Sequence, residues 1–233
     1  MTSLIHIRAI FHKQIKDALA NRLTILIFLL FPLLAIVFKG IVNENELRVM
    51  LPSFVTMNTV MIPIISMSSS IAEEKEKHSL RMLIMSNVRA WEYLIGMSLS
   101  VFCTAFLSTL LFLFFIELSG SAIVVFSVAS TIGIVYSLLI GAILALLSKN
   151  QMSIGPITAP VSMIVGLIPM FAKMNGKLET PAKILYSYYV REMFETLQFN
   201  NSINAFLMLI TNIIVLIILF FLLYKNKGIL SKK

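Results

Sequence analysis

The sequence predicts an all-α membrane protein with six transmembrane helices, and three observations carry that prediction. Hydrophobic residues make up 58% of the 233 and charged residues only 13%, whereas a soluble domain carries roughly 25% charged residues. Apolar runs close to the ~20 residues that a spanning helix needs recur six times. Lys and Arg gather at alternate ends of those runs. High hydrophobicity excludes disorder, and a single cysteine, Cys103 inside an apolar run, excludes a disulfide-stapled secreted module. The net charge of +8 is distributed as topology and anionic headgroups require, so membrane lipids, and no nucleic acid, are the expected partners.

Residues 1–22 form the first element. Leu4, Ile7, Phe11, Ile15 and Leu19 recur at helical spacing while Arg8, His12, Lys13 and Lys16 occupy the other faces, which predicts an amphipathic helix on the inner membrane surface. Residues 23–233 form one transmembrane domain with spans at 23–38, 49–71, 93–118, 122–147, 152–172 and 205–224. The first span is short and uses Asn21, Arg22 and Lys39 as snorkelling ends. It reads as retained, because Lys39-Gly40-Ile41-Val42 does not resemble a small-residue cleavage site. With both termini inside, 13 of the 19 basic residues but only five of the 11 acidic ones fall on the cytoplasmic side, so the entire net charge lies on one face.

Chemistry is scarce within the spans. None carries a mid-span Asp, Glu, Lys or Arg; Glu117, at the end of the third run, reads as interfacial. No HExxH and no GxxxxGK[ST] occurs, and His6, His12 and His78 lie outside the spans. No catalytic residue, metal site or cofactor is expected in this chain, and any ATP and Mg would be bound by another one. Small residues repeat every fourth position in span three (Gly96, Ser100, Thr104, Ser108) and span four (Ala129, Gly133, Ser137, Gly141, Ala145), which predicts close backbone packing of these two as a hairpin. Span two places Thr56, Thr59, Pro63, Ser66 and Ser70 on one stripe with Asn58 nearby; this could line a polar pathway or bond back to its own backbone. Gly155, Pro156, Pro160, Gly166 and Pro169 predict a kinked or broken fifth span and a moving part.

The loop from Ser70 to Tyr93 is the most informative stretch. Ser70 and Glu73 have capping-box spacing, Glu73 precedes Lys77 by four, and Leu80, Leu83 and Ile84 supply an apolar face beside Met82 and Met85, so a charged helix that docks on a partner is expected. At these residues the sequence resembles the permeases of the ABC-2 type transporter family. The resemblance rests on Glu73-Glu74-Lys75-Glu76-Lys77, Ser79-Leu80, Met82 to Val88, Trp91-Glu92-Tyr93 and Gly96, and extends to the order of spans. His78 and Asn87 depart from the Gly and Pro usual there, and Met97 from a frequent Lys.

The resemblance implies a type V exporter-like fold in the bacterial cytoplasmic membrane, and a permease that pairs with a second copy or paralogue and with two copies of an ATP-binding cassette subunit. Glu73, Glu74, Lys75, Glu76, Leu80, Arg81, Leu83, Ile84, Met85 and Ser86 would be the coupling helix that docks on the ATPase, acting with the N-terminal residues Arg8, Phe11, His12, Lys13 and Lys16. Thr56, Asn58, Thr59, Ser66, Pro156, Pro160, Gly166 and Pro169 would line the pathway.

Between spans five and six, Thr180-Pro181 predicts a helix start, and the helix is expected to run to Leu197 along the outer interface with Ile184, Leu185, Tyr188 and Tyr189 as its apolar side. An interior without charge suits an amphipathic or hydrophobic cargo, and small permeases of this size resemble exporters of antimicrobial or cytolytic peptides, including those of the phenol-soluble-modulin kind. A lipid or drug exporter, or a scaffold or sensory partner that transports nothing, remains the alternative.

Overall fold

The computed structural model describes residues 2–77, 88–115, 120–148, 150–198 and 203–227, and these form helices with no strand among them. α1 is Thr2–Ala20, α2 Arg22–Lys39, α3 Glu44–Glu76, α4 Ala90–Leu110 with a 3₁₀ turn at Leu111–Phe114, α5 Gly120–Leu147 and α6 Gln151–Met174. After a 3₁₀ turn at Gly176–Leu178 come the short α7 (Glu179–Ala182), α8 (Tyr186–Thr196) and α9 (Ile203–Lys227). α2, α3, α4, α5, α6 and α9 are long and apolar enough to cross a membrane.

Local chemistry explains several boundaries. The Asn21 side chain accepts from the backbone N–H of Leu23 and Thr24 and starts α2, while Asn150 accepts from the N–H of Ser153 and starts α6. No new helix begins at Ser70. α3 runs unbroken to Glu76, so its 33 residues extend about 50 Å and project the acidic-basic run beyond the bilayer as the end of span two.

α3 is the central helix, packed against α2, α4, α5, α6 and α8. The small-residue rows serve this packing more than the expected hairpin between spans three and four. A Cβ on Gly141 would lie 2.8 Å from the Ile64 carbonyl oxygen and 2.9 Å from Met67 Cβ, so α5 lies backbone to backbone on α3. Gly96 of α4 faces α1 instead, where its Cβ would meet that of Ile10 at 2.9 Å. α9 packs on α5 and α8, and no residue of its Leu207–Tyr224 span is buried, which leaves it mostly to lipid.

The expected break in span five does not occur, because α6 continues through all three of its prolines. Nor does the helix after it lie flat at the outer surface from residue 180. α8 begins at Tyr186 and buries Tyr186, Tyr189, Val190, Met193 and Phe194, while Ile184 is exposed. Tyr186 stacks on Tyr136 and its hydroxyl lies 2.7 Å from Ser137 Oγ, ten residues or about 15 Å from the Leu147 end of α5. α8 is therefore re-entrant: it is inserted among α3, α5 and α6, with its first residue near mid-membrane and Phe194 beside Phe126 closer to the surface.

Candidate transport and coupling site

The membrane face that carries α1 is a junction of helix ends. Ser3 Oγ donates to Glu92 Oε1 and His6 Nδ1 lies 2.8 Å from Glu92 Oε2, so two turns of α1 are tied to the start of α4. Lys13 and Gln14 both reach Glu74 Oε1 at the end of α3. α1 is thus seated by its polar side as well as by Ile10, while Leu4 and Leu19 of the expected apolar stripe are 73% and 65% exposed. Arg8, His12 and Lys16 are exposed and Phe11 is half-buried.

The residues expected to dock an ATPase divide in two. Leu80, Arg81, Leu83, Ile84, Met85 and Ser86 lie outside the described residues. Glu73 to Glu76 fan out from α3 toward this chain's own neighbours. Glu73 pairs with Lys77, and this hydrogen-bonded carboxylate holds the lysine above its ordinary pKa. Lys75 Nζ donates to the Ala145 carbonyl at 2.6 Å, and Glu76 Oε2 accepts from the Gln151 N–H at 2.8 Å. The end of α3 is therefore bonded to α1, to the end of α5 and to the start of α6. Among the described residues, two buried atoms here have no hydrogen-bond partner, the Tyr93 hydroxyl and Glu74 Oε2. Sequence reasoning missed this pair, because Tyr93 read as the start of an apolar run.

The polar stripe of α3 points inward. Thr56, Asn58 and Thr59 are 0–1% exposed. Thr56 and Thr59 donate to the carbonyls of Pro52 and Val55, and Asn58 Nδ2 donates to Thr109 Oγ1 at 2.9 Å while its Oδ1 lies 3.2 Å from Ser108 Oγ. These three face no open space within the chain; Ser66 is half-buried.

Helix-interior prolines expose a regularity. A proline at position i removes the N–H that would bond the carbonyl of i−4, and in a bilayer a carbonyl so freed needs another donor. Pro32 frees the Phe28 carbonyl, which accepts from Ser108 Oγ. Pro63 frees that of Thr59, which lies 3.2 Å from Ser137 Oγ and shares the serine's single proton with the Gly133 carbonyl at 2.6 Å. Pro169 frees that of Val165, which accepts from Ser187 Oγ at 2.6 Å. In each case the serine comes from a different helix, so the bond also fastens two elements together.

Pro52 frees the carbonyl of exposed Arg48 near the start of α3, and no described side chain donates to it; Pro156 and Pro160 of α6 likewise lack a serine. They free the carbonyls of Met152 and Pro156, and no described side chain donates to either. Both prolines are exposed, together with Gly155, Ala159, Met152 at 85% and Met163 at 50%. Gly166 and Pro169, also expected to line the pathway, are buried inside the chain, with Gly166 facing Met61. The structure thus divides the expected pathway residues into an interior set (Thr56, Asn58, Thr59, Gly166, Pro169) and an open set (Pro156, Pro160).

A six-span helical domain with a proline-rich fifth span is matched over residues 47–224 by the family model described as ABC-2 family transporter protein. This chain belongs to that family. It is a multi-pass membrane protein and the permease subunit of an ABC transporter, a class that generally works with an ATP-binding cassette subunit. Comparison with curated proteins returns no match.

Proposed function

We propose that this ABC-2 permease is the membrane half of an ATP-driven exporter, with its α1 face in the cytoplasm, and that the open face of α6 meets a second permease copy around the translocation pathway. The observation that carries this reading is the pair of prolines, Pro156 and Pro160, whose freed carbonyls lie on an exposed face. Pro32, Pro63 and Pro169 free carbonyls that a serine of another helix approaches, whereas Pro52 frees that of exposed Arg48, near the start of α3, to which no described side chain donates. Hydrocarbon supplies no donor, so this face calls for a second protein surface or a water-lined cavity.

Two ATP-binding subunits would bind ATP and Mg and dock on the segment that follows Glu76. Their movement would reach α1, α5 and α6 through Glu74, Lys75 and Glu76. The open face is rich in Met and bears no charge, which suits an amphipathic or hydrophobic cargo, with a cytolytic or antimicrobial peptide as the leading candidate.

Cross-linking tests the reading. With Cys103→Ser as background, Ala159→Cys is expected to give a disulfide-linked permease dimer in native membranes, more strongly when the partner ATPase is co-expressed, whereas Ile214→Cys on lipid-facing α9 gives none. Equal yields at both positions, or none at Ala159→Cys, would remove the α6 interface. Purification of the complex, with hydrolysis measured with and without amphipathic peptide, then tests the cargo: hydrolysis insensitive to peptide counts against peptide export.

A further inference from the structure

A second feature lies on another side of the molecule. α4, α5 and α9 enclose an apolar groove of about 570 Å³, with Leu94, Ile95, Ser98, Leu99 and Phe102 on one wall, Ile213, Ile217 and Phe220 on the other, and Leu138 and Ala142 in the floor. It exists because α9 packs on α5 and α8 and stands off from α4's outer face. Its walls begin in the half of the bilayer nearer α1 and reach mid-membrane, since Leu94 is four residues from the start of α4, Ala142 five from the end of α5 and Phe220 seven from the end of α9, while Ile213 lies midway along α9.

We propose that this groove is a binding site for an acyl chain of a glycerophospholipid from the leaflet on the α1 side, with its phosphate at Arg89. Four features select that ligand. Ser98 supplies the only polar side chain of the lining, so a peptide in extended form would bury unpaired backbone groups. From Leu94 to Phe102 the groove is about 12 Å long, a length that extended hydrocarbon can follow. The mouth is marked by Trp91, one turn from Ile95 on the same face and 45% exposed, and by Tyr224, stacked on Phe220 at 5.9 Å. Such rings settle at headgroup level. Arg89, exposed at the N-cap of α4 two residues before Trp91 and so at the same membrane level, offers a planar donor fork that matches a phosphate. The site depends on the chain's membrane location alone and stands whether or not the exporter reading holds.

Trp91 is the only tryptophan in the chain and serves as an in-place reporter. The full chain is reconstituted in vesicles of phosphatidylcholine containing an increasing mole fraction of phosphatidylglycerol brominated on its acyl chains, and Trp91 fluorescence is followed. Selective occupancy is expected to bring quenching to half its maximum at a mole fraction at least threefold lower than random lipid contact gives. Ala142→Leu with Leu99→Phe, which fills the groove, is expected to return the curve to the random one. Arg89→Gln, which leaves the walls intact, is expected to shift it most of the way without altering elution of the purified protein. A random curve for the native chain, or a selective curve that survives both the filled groove and Arg89→Gln, would overturn the proposal. Displacement of the quencher by amphipathic peptide at low mole fraction would do so too, by assigning the groove to cargo.

Discussion

α3 and α6 carry similar sequence features, prolines and small polar residues inside an apolar run, yet they do opposite things. α3 is walled in by five other helices, and its Thr56, Asn58 and Thr59 are all paired within the chain. α6 is sealed only along one side and toward the far surface, where Ser187 meets the carbonyl that Pro169 frees, and open along its first turns at Pro156 and Pro160. A polar stripe in a membrane helix is therefore ambiguous until the donors on neighbouring helices are known. Where a serine answers a freed carbonyl inside the bundle, as Ser137 can for Pro63, that stretch of helix is structural; where none does on an exposed face, as at Pro156 and Pro160, the face is left for something outside the chain.

The largest effects should come from closing the gap between α5 and α3. Gly141→Ala places a methyl 2.8 Å from the Ile64 carbonyl oxygen; because that neighbour is backbone, a loss of about 1–3 kcal/mol is expected, seen as a lower melting temperature and aggregation in detergent. Gly155→Ala on the open face of α6 meets nothing within 4 Å and is expected to stabilise the isolated chain by up to ~1 kcal/mol, since glycine weakens a helix interior. Equal melting temperatures for the two variants would break the comparison.

Ser137 gives the next test. Tyr186 can donate to Ser137 Oγ, and the serine's single proton then serves the carbonyl of Thr59 or of Gly133. Ser137→Ala leaves buried groups on two other helices short of a partner and is expected to cost about 1–3 kcal/mol, whereas Ser66→Ala, at a half-buried site, should change the melting temperature little. Pro160→Ala sharpens the contrast from the other side. It restores the N–H that bonds the Pro156 carbonyl, so the chain should gain up to ~3 kcal/mol of helix stability while peptide-stimulated ATP hydrolysis of the assembled transporter falls several-fold. Unchanged hydrolysis would show that the open face only contacts lipid.

Hydropathy made the six long apolar helices legible, because length and absence of charge decide where a helix can cross. Family resemblance was legible in the loop from Glu73 to Gly96, and the family model bears it out. What could not be read was which partner each polar atom finds. Ser108 and Ser137 were seen as small packing residues, but their hydroxyls repair Pro32 and Pro63, a relation between helices that no local pattern contains. The re-entrant α8 did leave a signal. Tyr186, Tyr189, Val190, Met193 and Phe194 follow i, i+3, i+4, i+7, i+8 spacing, yet Thr180-Pro181 drew the helix start too early, and a helix carrying an arginine does not by itself read as inserted. Arg191 is in fact 5% exposed, bonded to Ser53 and Glu195.

The smallest effect separates the surface turn at α7 from the sealed α8 that follows it. Glu179 and Lys183 are exposed and pair at 2.8 Å, and the hydrogen bond from Lys183, with its charge, holds the Glu179 carboxyl below its ordinary pKa. A depressed carboxylate pKa contributes stability that is present above the unfolded value and fades as pH falls through the folded one. Amide exchange at residues 182–184, corrected for its intrinsic pH dependence, should therefore be level from pH 7 to about 5 and rise below the ordinary glutamate range near 4.3. Lys183→Gln should flatten that rise. Exchange in α8 should not respond, because Tyr186 and Val190 are held by burial rather than by charge; an acid-induced opening of α8 that tracks α7 would mean that the two form one cooperative unit and that the surface pair helps to hold the re-entrant helix in place.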